Sequence, residues 1–147
     1  HNGADAVYLG GKKFGARAYS NNFDEQEMCE AIKLCHLYGV KIYVTVNTMI
    51  YNNEVEQVMN YLNFLYTNNV DAVIMQDNGM IELTRKTIPN LEIHVSTQAH
   101  NHNKPAIAHY KNIGCTRVVF DRESSLESIY KLDVDIELIP DKLSAII

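Results

Sequence analysis

The sequence EIHVSTQ at residues 92–98 is a run of β-forming residues that ends abruptly in hydroxyl and amide side chains. Two earlier stretches repeat this pattern, KIYVTVN at residues 41–47 and AVIMQD at residues 72–77. Each is an apolar strand that stops in Asn, Gln, Thr or Asp. The recurrence predicts one architecture, in which the polar ends of several strands meet and form a single site.

The rest of the chain alternates strands with helices. The strands are continuous apolar runs, which is typical of parallel strands covered by helices. Asp24 followed by Glu27 predicts a capping box at one helix start, and Ser124 followed by Glu127 predicts another. The predicted strands are residues 6–11, 41–47, 72–77, 92–98, 117–121 and 135–140. Four helices are predicted at residues 24–38, 79–86, 105–112 and 124–132. A further helix is predicted between a cap at Asn52 or Asn53 and an end at residues 68–69.

This order predicts an α/β fold with about six parallel strands and five helices. Two closures compete, an open doubly wound sheet and part of a (β/α)8 barrel. No G-x-G-x-x-G follows the first strand, which counts against a dinucleotide-binding sheet. The polar strand endings favour the barrel, and because a complete barrel needs about 250 residues, we predict a partial TIM-barrel-like fold.

The composition predicts one domain over residues 1–147. Hydrophobic residues make up 46% and charged residues 21%, and the net charge of −5 excludes a basic nucleic-acid module but not a local basic patch. Strand-length apolar runs and the lack of a signal-peptide pattern predict a cytoplasmic protein without a membrane span, and three widely spaced cysteines agree with a reducing compartment. Because the chain lacks an initiator Met and leads almost directly into a strand, we expect it to be an excerpt of a longer protein.

Several stretches of the chain resemble peptidase family U32, the collagenase-like proteases. They occur in the family's order from Gly3 to about Leu132, which makes the resemblance more specific than any single motif. The matching stretches are GADAVYLGG at residues 3–11, NF at 22–23, YVTVN at 43–47, DAVIMQD at 71–77, HVSTQ at 94–98, HN at 102–103, RVV at 117–119 and RE at 122–123.

The resemblance implies a TIM-barrel-like N-terminal domain and, by the family's name, a protease. It equally implies similarity to factors for the hydroxylation of tRNA, ribosomal RNA or quinone precursors, some of which are tied to iron–sulfur clusters. Family members usually continue after the last strand with a His-Gly turn and a cysteine-bearing segment, where this chain reads PDKL at residues 140–143. The cofactor is therefore left unassigned, and we expect the ligands of any iron–sulfur cluster to lie outside this chain.

The strand ends supply the candidate site. Amide and hydroxyl side chains at a barrel mouth can bind a polar ligand or a nucleobase edge, and arginines can bind phosphate or carboxylate. The alternative is that these amides only satisfy backbone groups of the loops. The predicted substrate-binding residues are Arg17, Asn47, Gln76, Thr97 and Gln98, and the predicted catalytic residues are Arg122 and Glu123, with Glu123 orienting an arginine or serving as a base.

Proteolysis and metal binding have weaker support in the sequence. No G-x-S-x-G elbow occurs, and Cys29 and Cys35 fall in a predicted helix, where packing explains them. His100 and His102 form an H-x-H pattern to which Asp77 could add a carboxylate, but a capping or loop role is favoured for His102, so no metal site is predicted.

Three functions remain open at this point. The first is an RNA-modifying or hydroxylation enzyme that binds tRNA, rRNA or a small polar substrate at the barrel mouth. The second is a peptidase, metal-assisted, acting on a peptide substrate. The third is a non-catalytic binding domain of a larger enzyme. No membrane partner is expected, and because an incomplete barrel leaves open sheet edges, we expect either a homodimer or compensating contacts at those edges.

Overall fold

A computed structural model describes residues 3–16, 22–121, 123–132 and 137–140. Within these ranges, strands and helices alternate along the chain, as the sequence predicts. The elements are β1 (Ala6–Gly10), α1 (Glu25–Leu37), β2 (Lys41–Val46), α2 (Val55–Thr67), β3 (Ala72–Met75), α3 (Asn78–Thr87), β4 (Ile93–Val95), a 3-10 turn (Thr97–Ala99), α4 (Lys104–Asn112), β5 (Arg117–Phe120), α5 (Leu126–Tyr130) and β6 (Glu137–Pro140).

The strands form one parallel sheet in the order β1-β2-β3-β4-β5-β6. A doubly wound sheet reverses its strand order at a switch point, whereas a barrel adds each new strand beside the last. The sequential order therefore decides between the two predicted closures, and the partial TIM-barrel-like fold is confirmed.

The two faces of the sheet differ in burial. In β2, Ile42, Val44 and Val46 are buried, while Tyr43 and Thr45 alternate with them and are half-buried. The buried residues belong to the same core as side chains of α1 and α2, including Met28 and Leu62. The helices thus cover one face of the sheet, and the other face lines the interior of the curved sheet.

Polar side chains fix several helix starts. Asp24 accepts a hydrogen bond from the Glu27 backbone, and the Glu27 carboxylate accepts one from the Asp24 backbone, so the predicted capping box is present. The Asn103 side chain caps α4 by accepting a hydrogen bond from the Ala106 backbone. The predicted cap at Asn52 or Asn53 is wrong, because α2 begins after Glu54, whose carboxylate instead accepts from the Tyr51 backbone at 2.9 Å.

Two predicted boundaries are also wrong, each because a serine hydroxyl binds a nearby backbone group. The fourth strand ends at Val95, since Ser96 Oγ accepts from the Gln98 backbone and starts the 3-10 turn that contains Thr97. The last helix is capped by Ser125. Short hydroxyl side chains compete with the regular backbone pattern in this way.

No helix among the described residues is long and apolar enough to cross a membrane. Within the same ranges, β1 pairs only with β2, and β6 pairs only with β5. The homodimer through these edges stays a prediction.

Candidate active site at the carboxyl ends of the strands

A histidine and a buried aspartate meet where β4 and β5 end. Asp121 directly follows β5, and its side chain is 8% exposed. His102, in the loop between β4 and α4, places Nδ1 2.6 Å from Asp121 Oδ2, while its ring is 52% exposed. Oδ2 has no aligned hydrogen-bond donor among the described residues, so the two atoms are close but do not form a directed hydrogen bond. A buried acceptor therefore lies against a solvent-facing imidazole.

The other oxygen of Asp121 is firmly held. Oδ1 accepts hydrogen bonds from the Ser124 backbone at 2.9 Å and from the Ser124 hydroxyl at 2.7 Å. These two donors fix the plane of the carboxylate, and this explains why Ser124 does not cap the following helix as predicted. His102 and Asp121 are thus held by different loops of the same barrel mouth.

Asn101 ties the ends of β4 and β5 together. Its side chain is fully buried, and Nδ2 donates to the Ser96 carbonyl at 3.0 Å and to the Val119 carbonyl at 3.2 Å. Its Oδ1 is buried without a hydrogen-bond partner in the described part of the chain. Because His102 follows Asn101 directly in the chain, these hydrogen bonds of Asn101 also fix the position of the His102 backbone.

Asn47 connects the loop after β1 to the end of β4. Its Oδ1 accepts from the Ala16 backbone at 3.1 Å, and its Nδ2 donates to Ser96 Oγ at 3.4 Å. Both polar groups of the amide are engaged in the fold. The arrangement agrees with the alternative that a strand-end amide satisfies its neighbours, and it also brings three loops of the mouth together.

Gln76 has a similar connecting position between β3 and its neighbours. With its amide oriented to pair both groups, the oxygen accepts from the Met49 backbone at 2.9 Å and the nitrogen donates to the Gln98 carbonyl at 3.1 Å. Asp77, next in the chain, caps α3 through the Met80 backbone and accepts from the Ile50 backbone at 3.2 Å. The loops after β2 and β4 are therefore both anchored on the end of β3.

The loop between β2 and α2 carries two large apolar side chains into solvent. Met49 is 69% exposed and Tyr51 is 75% exposed, although their backbone nitrogens are bound by Gln76 and Glu54. Thr48 adds a hydrogen bond from its hydroxyl to the Phe14 carbonyl. The loop thus presents two exposed side chains on a backbone that neighbouring residues hold in place.

A second polar cluster lies at the opposite end of the strands. His94 is 1% exposed and places Nε2 3.1 Å from Glu92 Oε1, and Tyr43 packs edge-on against the His94 ring. The Arg117 guanidinium lies over the Tyr43 ring at 5.1 Å. Burial raises the pKa of Glu92, but hydrogen bonds from His94 and Thr116 outweigh it, so the pKa lies below its usual value. We interpret this cluster as packing of the interior, away from the mouth.

The cysteines are placed for packing. Cys115 is buried just before β5, and burial raises the pKa of its thiol to about 11. Burial also raises the pKa of Cys35 on α1, and Cys29 donates to Asn68 Oδ1 at 3.2 Å. Raised pKa values disfavour the thiolate that nucleophilic chemistry needs.

The predicted site residues are distributed unevenly. Asn47, Gln76 and Thr97 lie at the mouth, Gln98 beside them is exposed, and Glu123 is exposed on the loop after β5. Arg17 and Arg122 lie outside the described residues, so their predicted roles stay predictions.

Sequence reasoning missed the pairing of His102 with Asp121 and the exposed pair of Met49 and Tyr51. The H-x-H pattern included His102, but a capping or loop role was preferred for it; the His100 and His102 rings stack with their centroids 6.4 Å apart. In the described ranges, no group of three or more His, Cys, Asp or Glu side chains could hold a metal ion. The position of Asp121, a polar residue directly after an apolar strand, was the signal that could have identified it as a site residue.

Comparisons with known proteins agree with this architecture. The family model described as peptidase family U32 matches residues 1–139. The solved structure of the U32 peptidase Mk0906 superimposes with a TM-score of 0.76 at 17% identity, over 92% of this chain and 60% of that one. At this identity the structural match shows the fold alone.

The curated relatives carry two kinds of name. The tRNA hydroxylation protein P1 of Bacillus subtilis is 39% identical over 93% of this chain and 33% of its own length. The 23S rRNA 5-hydroxycytidine C2501 synthase of Escherichia coli is 39% identical over 86% of this chain and 19% of its own. A collagenase of Porphyromonas gingivalis is 30% identical over 86% of this chain and 30% of its own. The chain thus spans about a third or less of these relatives.

Proposed function

The chain belongs to peptidase family U32, and from that premise we propose that it binds RNA for hydroxylation, with a tRNA or rRNA nucleotide held at the barrel mouth. The observation that carries the proposal is the convergence of His102, Asp121 and the exposed Met49 and Tyr51 on that one end of the sheet. Similarity to proteins named for tRNA and rRNA hydroxylation supports the substrate class.

The mouth has the chemical parts that an extruded nucleotide requires. Exposed aromatic and apolar side chains stack on bases, and Tyr51 and Met49 are such side chains on an anchored loop. Thr97 and Gln98 lie in the adjacent 3-10 turn and are proposed to bind the base edge. Asn47 and Gln76 then act as positioning residues, because their amides are occupied by loop backbone and by Ser96.

Because the net charge of the chain is −5, we propose that individual cationic side chains near the mouth bind the phosphate. We retain Arg17 and Arg122 for this role, and Glu123 as the residue that orients an arginine or serves as a base. Lys12 and Lys13 are less suited, since Lys12 pairs with Asp24 at 3.1 Å and Lys13 with Glu25 at 3.2 Å.

An iron–sulfur cluster, which some family members are expected to hold, does not fit the thiols of this chain. Such clusters need several cysteine sulfurs around one point. Cys29 and Cys35 lie on α1 and Cys115 lies just before β5, and no metal-holding group is found among the described residues. We therefore assign no step to a cluster held by these residues.

Peptide hydrolysis is the competing function, supported by the relative named collagenase. A serine triad requires the hydroxyl to bind the histidine nitrogen that faces away from the aspartate. Ser124 instead donates its hydroxyl to Asp121, and Ser96 Oγ accepts from Gln98 and Asn47. The arrangement of these two serines therefore counts against a serine triad.

The proposal is tested by nucleoside analysis. The complete protein is produced in a Bacillus subtilis strain that lacks tRNA hydroxylation proteins P1 and P2, and its tRNA and rRNA are digested and analysed by mass spectrometry. Hydroxylated nucleosides that depend on the protein support the proposal. Unchanged nucleosides, together with collagen or casein cleavage by the purified protein, would overturn it in favour of the peptidase.

A further inference from the structure

We infer that His102 is a general base that takes a proton from the bound substrate through Nε2, and that Asp121 is the residue that positions its ring. The identity of the substrate rests on the proposed function. The state of the histidine itself does not, so it is tested separately.

The carboxylate determines which ring nitrogen carries the proton. A carboxylate is an acceptor only, so Nδ1 at 2.6 Å from Asp121 Oδ2 is the nitrogen expected to hold a hydrogen. Oδ2 is buried and has no other donor among the described residues, and a buried acceptor without a donor costs free energy. A ring orientation that aligns Nδ1–H with Oδ2 would remove that cost. Catalytic hydrogen bonds are commonly loose before the substrate binds.

With the proton on Nδ1, the lone pair of Nε2 is available on the solvent-facing edge of the ring. The surroundings support this use of the ring. Asp121 faces the His102 ring from the end of β5. His100, which lies in the same loop as His102, stacks on that ring. The negative charge of Asp121 offsets the positive charge that His102 gains when Nε2 takes a proton, whereas an isolated histidine has no such partner.

The step is a simple proton transfer. An O–H, N–H or C–H bond of the substrate breaks and leaves its electron pair on the substrate, while an N–H bond forms on Nε2. The proton then leaves to water from the exposed ring. No oxidant or reductant is consumed in this step.

The substitution Asp121→Asn tests the positioning role. Ser124 directs two donors at Oδ1, so the asparagine oxygen stays on that side and its NH2 group faces His102 Nδ1. A donor at that place reverses the preferred tautomer and puts the proton on Nε2. We expect the 15N chemical shifts of the His102 ring, assigned by loss of its signals in His102→Gln, to report Nδ1–H in the wild-type protein and Nε2–H in Asp121→Asn.

The control variants keep this measurement specific. Ser124→Ala removes the hydroxyl donor but keeps the backbone donor, so the wild-type tautomer is expected to persist. His100→Gln is expected to leave the His102 shifts in the Nδ1–H pattern. An Nε2–H tautomer in the wild-type protein, or no change in Asp121→Asn, would overturn the inference whether or not RNA is the substrate.

Turnover tests the role of the base. Gln at position 102 can still donate to Asp121 and hold the loop, but it cannot take a proton. For the complete protein we expect His102→Gln to lower kcat by about 100-fold or more at unchanged KM, within the range of general-base contributions. His109→Gln, at an exposed position of α4 away from the mouth, is the matched control and should retain kcat. Full activity of a folded His102→Gln protein, or a loss confined to KM, would contradict the role.

Discussion

The hydroxyl of Tyr61 on α2 packs against Gly11 just after β1, so closely that a β-carbon on Gly11 would lie 2.1 Å from it. Tyr61 is 6% exposed and belongs to the core between the helices and the sheet. We predict that Gly11→Ala lowers the free energy of unfolding by about 1–3 kcal/mol, the usual cost of overpacking. Thermal unfolding of the variant measures this.

The control for that substitution is Gly79→Ala in α3. A β-carbon there meets only Asp77 Oδ1 at 3.4 Å, which is ordinary contact, and alanine favours the helix. Gly79→Ala is expected to keep or raise the unfolding temperature. Equal stability of both variants would show that Tyr61 yields to the added methyl group at little cost.

Tyr61 also predicts a loss of stability in alkaline solution. Burial raises the pKa of Tyr61 to about 12, while the unfolded tyrosine ionises near 10. The unfolded state therefore loses its proton first, so the contribution of Tyr61 is complete below pH 10 and is lost as the pH rises through about 12. We expect Tyr61→Phe to remove this alkaline loss in the free energy of unfolding, which is of the order of 2 kcal/mol.

Urea unfolding of both proteins at several pH values between 9 and 12 measures the effect, with exposed Tyr51→Phe as the matched control. Tyr61 Oη has no hydrogen-bond partner among the described residues, so Tyr61→Phe is expected to leave stability at neutral pH unchanged or raised. Parallel alkaline profiles for Tyr61→Phe and the wild-type protein would refute the prediction.

Asn101 predicts a coupling between fold and site. Its amide donates to two carbonyls at the ends of β4 and β5, so Asn101→Asp places a carboxylate against two acceptors. We expect this change to lower the free energy of unfolding by about 2 kcal/mol or more, because the buried carbonyls lose their donor. Asn60→Asp on the exposed side of α2 is the control and should have little effect. Similar unfolding midpoints for the two variants would argue against a stabilising role for the two hydrogen bonds that Asn101 donates.

Tyr51 predicts a binding effect without a stability effect. The side chain is 75% exposed, so Tyr51→Ala should not change the unfolding temperature. If the ring stacks on a base, RNA affinity should fall by about 1–3 kcal/mol, measured by fluorescence anisotropy at fixed salt. Leu37→Ala, a change of a 77% exposed side chain at the end of α1, should leave affinity unchanged. Equal RNA affinities for the two variants would remove Tyr51 from the site.

The fold could be predicted from the sequence because its signals are local. The apolar run of β2 and the capping pair of Asp24 with Glu27 each depend on neighbouring residues, and the repetition of such signals specifies βα units. The wrongly predicted boundaries arose where a side chain competed for a backbone hydrogen bond, which the hydrophobic periodicity does not show. Ser96 took a backbone donor and ended β4 early.

The site was harder to predict because it depends on contacts between distant segments. Nothing in the spacing of His102 and Asp121 shows that the loops after β4 and β5 bring them to 2.6 Å. Asn47 and Gln76 follow β2 and β3, and their amides bind loop backbone, which residue type alone does not reveal. An exposed Tyr51 likewise looks the same in sequence as a tyrosine packed on a helix.

The most direct test of the account is the mass of nucleosides from the Bacillus subtilis strain lacking proteins P1 and P2, supplied with either the wild-type protein or His102→Gln at equal abundance. The account predicts hydroxylated tRNA or rRNA nucleosides with the wild-type protein and their loss with His102→Gln. Nucleosides that are unchanged by the wild-type protein, or equally hydroxylated with both, would contradict it.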